Sequence, residues 1–212
     1  MTPPAVRVRR RHGAGVRGFS LIELMVGVAI LAVLLALAAP SFAEWMLNTR
    51  VRSTAESLQT GLQMARAEAV RRNAIVRFQF TTAVDNSCGL STTGAYWVIN
   101  LKKDDTGSPA GACGTAASDT IKPYIIQVSP SGSSVNNVSV SASASAIGFN
   151  GLGQQVAVDG ITLADQTVNI SSTKATCSTV RCLRVLIGTS GQIRMCDPAR
   201  QVTGDPMNCV QQ

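Results

Sequence analysis

The protein has 212 residues, of which 45% are hydrophobic and 15% charged, and its formal net charge at pH 7 is +7. That length allows one anchored domain with its own core, or two small domains. Five of the 19 basic residues precede Phe19, where no acidic residue occurs; without them 14 basic residues face 12 acidic ones, a net charge of +2. The basic character therefore belongs to the N-terminus and gives no support to a nucleic-acid-binding body. These five residues are Arg7, Arg9, Arg10, Arg11 and Arg17.

An apolar run of 21 residues, 19–39, follows the basic segment and contains one charged residue, Glu23. Positive charge before such a run marks the cytoplasmic end of a membrane segment. An ordinary secretory signal has a shorter apolar region with a small-residue cleavage site after it, whereas here the small residue, Gly18, comes before the run. A plain single-pass anchor explains the run. It explains neither Gly18 nor a carboxylate that costs a few kcal/mol in lipid.

Cleavage between Gly18 and Phe19 would account for both features. Phe19 would then carry a free α-amino group, and Glu23 would lie four residues further on, over the same helix face. The amine of a neighbouring subunit, displaced by a small axial step, can pair with this carboxylate, and pairing is what makes a buried ion tolerable. Glu23 is therefore predicted to set the axial register between assembled subunits.

The stretch GFSLIELMVGVAIL resembles the class III signal of type IV pilins and type II secretion pseudopilins, with Phe19 at the new terminus and Glu23 at the fifth mature position. The resemblance implies that a prepilin peptidase removes the basic leader, residues 1–18, and N-methylates Phe19. It also implies a single-pass protein of the inner membrane with a periplasmic globular domain, whose helix later moves into the core of a pilus or pseudopilus. Pro40, which ends the segment 19–40, matches a kink position in such helices, because an interior proline loses a backbone hydrogen bond.

Residues 41–73 are predicted to continue the helix as an amphipathic segment. Apolar residues recur there at helical spacing, and charged residues, including most of RAEAVRR, are assigned to a solvated face. The segment LQTGLQMARAEAVRRN, followed by the strand-like IVRFQF, resembles the GspH/FimT family, which contains minor pseudopilins of type II secretion and minor pilins of type IV pili. The apolar stripe consists of Val51, Ala55, Leu58, Leu62, Ala65 and Ala69.

Residues 74–212 are predicted to form a β-rich globular domain, because short β-rich runs alternate with turn residues and no further helical stripe occurs. The fold class is therefore α+β, a pilin-like fold with the long N-terminal helix packed on an antiparallel β-sandwich-like domain. The low-complexity stretch 129–146 is expected to be an exposed loop with an edge strand. FNGLG (149–153) and TSGQIR (189–194) resemble two late hairpin turns of the GspH domain. The candidate strands are 75–80, 96–101, 124–128, 138–140, 146–150, 168–171, 183–187 and 192–196.

The six cysteines all lie in the part expected outside the inner membrane, where disulfides form. Six cysteines permit 15 complete pairings, and the sequence does not select one of them. The simplest expectation joins neighbours in the chain, so that each bond closes a short loop: Cys88–Cys113, Cys177–Cys182 and Cys196–Cys209. A zinc site is the rival, but the chain has no C-x-x-C and its only histidine, His12, is in the predicted leader. A mature chain without histidine lacks the commonest general base, so we predict neither catalysis nor a cofactor.

A basic C-terminal cluster makes DNA binding an alternative. In the members of this family that serve natural transformation a G-R-x-R motif is associated with DNA binding, and the matching positions here read GQIR, with Gln192 in place of the first arginine. The cluster contains five basic residues against two acidic ones, Asp197 and Asp205. It would therefore bind phosphates weakly and in a salt-dependent way. No aromatic residue follows Phe149 to stack on bases, so an ordinary hairpin end is the favoured interpretation. The five candidate residues are Lys174, Arg181, Arg184, Arg194 and Arg200.

The leading hypothesis is a minor type IV pilin that is processed by the prepilin peptidase and joins other minor and major pilins to start or cap the filament. The second hypothesis is a GspH-like minor pseudopilin of the type II protein secretion system. The third is a DNA-binding pilin for natural transformation.

Overall fold

A computed structural model describes residues 18–103, 107–132 and 135–210, with only the backbone described at 38–40. Residues 1–17 of the predicted leader and the Pro40 side chain lie outside the described part, so the kink expected at Pro40 stays a prediction. The described chain forms one helix, α1 (Leu21–Arg72), and nine strands. It divides into two compact units, Met1–Phe42 and Ala43–Gln212.

Local motifs fix both ends of α1. At the N-terminus the Ser20 hydroxyl accepts the N–H of Glu23 at 3.3 Å, which satisfies one of the otherwise unpaired amides of the first turn. At the C-terminus Asn73 has a positive φ of 46°, and the N–H of Ala74 donates to the carbonyl of Ala69 at 3.2 Å, as in a Schellman motif. Because of these caps the helix begins two residues later and ends one residue earlier than predicted.

The helix of the first unit carries large apolar side chains that are all more than half exposed. From Leu21 to Leu37 their exposed fractions lie between 53% and 78%. Taken separately, neither part of α1, Leu21–Leu37 or Ser41–Arg72, is long and apolar enough to cross a membrane. The two parts meet the length and composition test only when they are taken together as a helix with a break between them. Apolar surface of this extent is rare on soluble monomers and marks contact with lipid or with other protein.

The second unit contains the nine strands β1 (Val76–Thr81), β2 (Tyr96–Leu101), β3 (Ile125–Val128), β4 (Val138–Ala142), β5 (Ala146–Phe149), β6 (Gln155–Val156), β7 (Gln166–Ser172), β8 (Leu183–Ile187) and β9 (Ile193–Cys196). They form two antiparallel sheets, with strand orders β3-β2-β1-β5-β6 and β4-β7-β8-β9. The eight predicted strands are all present, with boundaries displaced by two residues at most, and the predicted α+β fold is confirmed. The prediction missed β6, because two residues are too few to produce a periodic signal.

The predicted helical stripe packs into one core shared with both sheets. All six stripe residues are at most 1% exposed and belong to the same cluster as the inward side chains of the strands. On β1 the Phe78 ring packs edge-on against Phe80, with 5.1 Å between the ring centroids, and stacks on Trp97, with 5.6 Å between the centroids. A Cβ on Gly61 would lie 2.7 Å from the Trp97 ring and 2.8 Å from the Phe78 ring, so glycine at this helical position lets both rings approach the helix backbone.

The opposite face of β1 is also covered, which the sequence analysis missed. Arg77 is 1% exposed, and its guanidinium bonds to Asp159 at 2.9 Å and to the side chain of Asn100 at 3.3 Å. The Gln79 amide donates to the other oxygen of Asp159 at 3.2 Å. Alternation of polar with apolar residues along a strand is typical of a half-exposed sheet. Here the loop carbonyl of Gly107 and the turn at Asp159 cover that polar face.

Candidate functional site

The predicted processing site lies in non-helical backbone. Gly18, Phe19 and Ser20 precede α1 and are exposed, and Phe19 exposes 83% of its surface. The helix therefore begins after Phe19 and not with it as expected, because Ser20 caps it. Exposed segments outside regular structure are where proteases cut, so the geometry is compatible with cleavage between Gly18 and Phe19.

Glu23 also has a role within its own chain that the sequence analysis missed. Its amide is bound by Ser20, and the spacing of SLIE (residues 20–23) is that of a capping box, in which a serine precedes a glutamate by three positions. A negative charge in the first turn also interacts favourably with the helix dipole. The serine was visible in the sequence and could have revealed this role. Pairing of Glu23 with the amine of another subunit stays a prediction.

The two late turn motifs meet each other beside the C-terminal half of α1. Gly191 has a φ of +82°, and a Cβ placed on it would lie 1.9 Å from the carbonyl oxygen of Gly153. The same carbonyl accepts the Arg66 Nε–H at 2.9 Å, and the N–H of Gln155 donates to the carbonyl of Thr189 at 3.1 Å. The family-like motifs FNGLG and TSGQIR therefore form one junction that joins α1 to both sheets.

The interpretation of RAEAVRR as mostly a solvated face holds for Arg66 and Arg71, which are exposed, and is wrong for Glu68 and Arg72, whose side chains are each 19% exposed. Glu68 bonds to Arg71 at 2.6 Å and to Arg72 at 2.7 Å, and Arg72 also pairs with Asp119 at 2.6 Å. The hydrogen bond from Arg71 and the contacts from Arg72 lower the pKa of Glu68, although partial burial opposes them. The two Glu68 pairs are i,i+3 and i,i+4 contacts that helical spacing could have revealed. The Arg72–Asp119 pair arises because the loop carrying Asp119 reaches α1, and helical periodicity does not contain that placement.

The five residues considered for DNA contact do not line one common hollow. Arg181, Arg184 and Arg200 line one hollow of about 680 Å³, whereas Arg194 lines another of about 390 Å³ and Lys174 lines neither. In the first hollow the Arg181 Nε lies 3.3 Å from a carboxylate oxygen of Asp197, whose side chain is only 5% exposed.

Acidic and amide groups accompany two more of these arginines, Arg184 and Arg200. Arg184 donates to the side chain of Asn169 at 2.6 Å, and Arg200 pairs with Asp205 at 2.9 Å. The N–H of Met207 and then Arg200 lower the pKa of Asp205, so this carboxylate stays charged. An arginine that already has a partner must exchange it before it can bind phosphate, which reduces the gain. DNA binding stays a prediction, and this geometry weighs against it.

The six cysteines form three disulfides, Cys88–Cys113, Cys177–Cys182 and Cys196–Cys209, which are the neighbour pairs that the sequence analysis expected. The last of them ties the tail to the end of β9, where the N–H of Asp197 donates to the carbonyl of Met207 at 2.8 Å. Among the described residues, no three His, Cys, Asp or Glu side chains are grouped so that they could hold a metal ion.

Two family models match the chain. The model described as type II transport protein GspH matches residues 54–191, and the model described as prokaryotic N-terminal methylation motif matches residues 14–39. No curated protein is significantly similar to the chain. Two crystal structures of the type IV minor pilin FimU from Pseudomonas aeruginosa (strain PAO1), in space groups P21 and P65, are similar to this chain at 17% identity. Each of the two matches covers 72% of this chain. The P21 structure is covered over 92% of its chain with a TM-score of 0.47, and the P65 structure over 97% of its chain with a TM-score of 0.45.

Proposed function

Since the chain belongs to the GspH family, we propose that it is a minor subunit of a type IV pilus, made as a membrane-anchored precursor and later packed by its helix into the filament. The observation that carries the proposal is the union, in one chain, of the N-terminal methylation motif at 14–39 with the GspH domain at 54–191. The exposed apolar surface between Leu21 and Leu37 supports it, because that surface needs lipid or neighbouring helices to cover it.

In the precursor, the helix lies in the inner membrane and the globular unit lies in the periplasm. The five arginines before Phe19 support this orientation, since positive flanking charge stays on the cytoplasmic side. A prepilin peptidase cuts after Gly18 and N-methylates Phe19. Glu23, a lone carboxylate in an apolar helix, then pairs with the terminal amine of a neighbouring pilin and fixes the axial register of the subunit.

Substitution of the two key residues tests this proposal in cells. Gly18→Leu should leave an uncleaved precursor in the membrane, whereas Glu23→Ala should be cleaved normally and then be absent from sheared filaments. Mass spectrometry of the mature wild-type protein should show a methylated Phe19 at the N-terminus. Normal incorporation of Glu23→Ala, or a different N-terminus, would overturn the proposal.

Two controls separate the register role of Glu23 from its capping role. Ser20→Ala removes the side chain that caps the helix, at a cost of about 1 kcal/mol, and leaves the carboxylate in place. Glu44→Ala removes an exposed carboxylate from the same helix beyond the apolar run. Both variants should still enter the filament. If Ser20→Ala is excluded as strongly as Glu23→Ala, capping and not register explains the defect.

A pseudopilin of the type II secretion system is the second candidate, favoured by the description of the matching family as a type II transport protein. A deletion strain distinguishes the two. Loss of surface pili with normal secretion of exoproteins supports the pilus, and loss of secretion with normal piliation supports the pseudopilus. Either outcome keeps the processing steps described above.

A further inference from the structure

The disulfide Cys177–Cys182 differs from the other two in its access to solvent. Cys177 is the one exposed cysteine among the six, all of which the structure describes, and Cys182 is half-buried. Each of the other two disulfides contains a fully buried cysteine, since Cys113 and Cys196 are both 0% exposed. Thiol–disulfide exchange requires direct attack on a sulfur atom, and exposed disulfides are the labile ones. Cys177–Cys182 is therefore the disulfide that a reagent can reach most easily while the unit is folded.

The loop between these two cysteines is held by contacts that do not involve sulfur. Val180 is 1% exposed and belongs to the main hydrophobic core. The N–H of Arg181 donates to the side-chain oxygen of Asn48 on α1 at 2.8 Å. Because these contacts remain when the disulfide opens, we expect the loop to stay packed on the unit. Exchange at this site therefore does not require unfolding.

Both cysteines line the hollow of about 680 Å³ that also contains Arg181, Arg184 and Arg200. Arg181 and Arg200 have carboxylate partners, which compensate their charges. Arg184 instead donates to the neutral side chain of Asn169 at 2.6 Å, so its positive charge is not compensated there. An uncompensated cation in a hollow raises the local concentration of anions. Arg184 therefore favours the approach of anionic reagents to the disulfide.

Arg184 also lies on the side of the sheet where Cys182 is found. Cys182 directly precedes β8 and Arg184 is the second residue of that strand. Side chains two positions apart along a strand point to the same face, and both of these residues line the hollow. A nearby cation favours a thiolate over a thiol, so Cys182 is the better leaving group of the pair. Cys177, which is exposed, is the sulfur that an incoming thiolate can attack.

We propose that Cys177–Cys182 is a thiol-exchange site for small thiols that carry a second anionic group. The incoming thiolate attacks Sγ of Cys177 and forms a mixed disulfide with it. The bond between the two cysteines breaks, and its electron pair leaves on Sγ of Cys182. A second thiolate of the same kind attacks the reagent sulfur of the mixed disulfide, which releases Cys177 as a thiolate and the reagent as its own disulfide. Two reagent thiols are thereby oxidised while one protein disulfide is reduced.

The size of the hollow agrees with a small ligand of this kind. Its volume of about 680 Å³ is within the range of small-molecule sites in proteins. The site belongs wholly to the second unit, and its chemistry requires neither the processing of the N-terminus nor entry into a filament. The exchange site and the proposed function are therefore tested by separate experiments.

The initial rates at which the three disulfides open test the proposal. The full chain, in micelles of an uncharged detergent, is treated with an excess of 2-mercaptoethanesulfonate or of 2-mercaptoethanol at equal thiolate concentration. Free cysteines are alkylated at intervals and counted by mass spectrometry after digestion with trypsin, which cuts after Arg181, between the two cysteines. Cys177–Cys182 should open at least about tenfold faster than the other two disulfides, as expected for an exposed disulfide beside buried ones.

The charge of the reagent is the second variable. The sulfonate should open Cys177–Cys182 about two- to fivefold faster than 2-mercaptoethanol at low salt, as expected for one partly exposed guanidinium. This difference should disappear at about 1 M salt, where the screening length is only about 3 Å. Circular dichroism recorded during the reaction should stay that of the folded protein.

Two arginine variants assign the preference to its residue. Arg184→Gln should make the rates with the two thiols equal. Arg194→Gln, the same change of charge at a half-buried arginine that lines the other hollow, should keep the difference. Equal rates for the three disulfides, or opening in step with the loss of circular dichroism, would mean that exchange occurs through unfolding and would overturn the proposal. Equal rates with the two thiols in the wild type, or a preference that survives in Arg184→Gln, would overturn it as well.

Discussion

Replacing Gly191 by alanine tests the junction between the two turn motifs. The alanine would have to keep a φ of +82°, which costs an L-residue about 1–2 kcal/mol. Its Cβ would also lie 1.9 Å from the carbonyl oxygen of Gly153, so one turn must move, and overpacking of this kind costs about 1–3 kcal/mol. The two effects together should lower the free energy of unfolding by about 3 kcal/mol. For a unit of this size that corresponds to a melting temperature lower by about 6–12 °C.

Gly160→Ala is the matched control, because Gly160 has a φ of +77° and no heavy atom within 4 Å of the added Cβ. It carries the conformational cost without the collision and should lower the free energy of unfolding by about 1–2 kcal/mol. Both variants are compared by urea and thermal unfolding of the unit Ala43–Gln212, which has its own core, followed by circular dichroism. Equal losses in the two variants would refute the close contact between the turns.

Three further predictions concern stability, each measured by urea denaturation of the same unit. Asp159→Asn leaves the buried guanidinium of Arg77 without its carboxylate and should cost about 2–4 kcal/mol; a loss below about 1 kcal/mol would contradict the buried pair. Because the pKa of Glu68 is lowered in the folded state, its contribution is present above the unfolded pKa near 4.3 and is lost as the pH falls through the folded value. Glu68→Gln should therefore lose less stability than the wild type between about pH 6 and pH 3, and identical slopes would contradict this. Replacing both cysteines of Cys88–Cys113 by serine should lower the free energy of unfolding by about 3.5 kcal/mol, and the same change at Cys177–Cys182 should lower it by about 2 kcal/mol. The difference is expected because the first bond closes a loop of 25 residues and the second a loop of 5; a reversed order would contradict the loop-entropy account.

The elements of the fold follow from patterns that are local in the sequence. The stripe from Val51 to Ala69 repeats at helical spacing, and its burial required no knowledge of what it packs against. The strand Leu183–Ile187 is a short run rich in apolar and β-branched residues that stops before the turn residues 188–191, and its boundaries were predicted without error. The ends of the helix were misplaced because the caps at Ser20 and Asn73 depend on single side chains, not on periodicity.

The sites depended on contacts between distant parts of the chain. In the sequence Arg77 looks like a solvent-facing residue, because no nearby residue indicates that anything covers it. The turn that covers it, at Asp159, lies 82 positions further on. The basic residues near the C-terminus are close in sequence, but strand registry and the tied tail distribute Arg181 and Arg194 to different hollows. Closeness in sequence within a β-rich region therefore does not decide which surface hollow a residue lines.

The disulfide connectivity has a consequence for how the protein matures. Every cysteine is bonded to the cysteine that stands next to it in chain order, and no bridge encloses another. If the globular unit is translocated as proposed, the segment that follows the helix enters the periplasm first, and each thiol meets its native partner before the next pair appears. An oxidase that simply joins successive thiols produces the native set, and no shuffling catalyst is required afterwards.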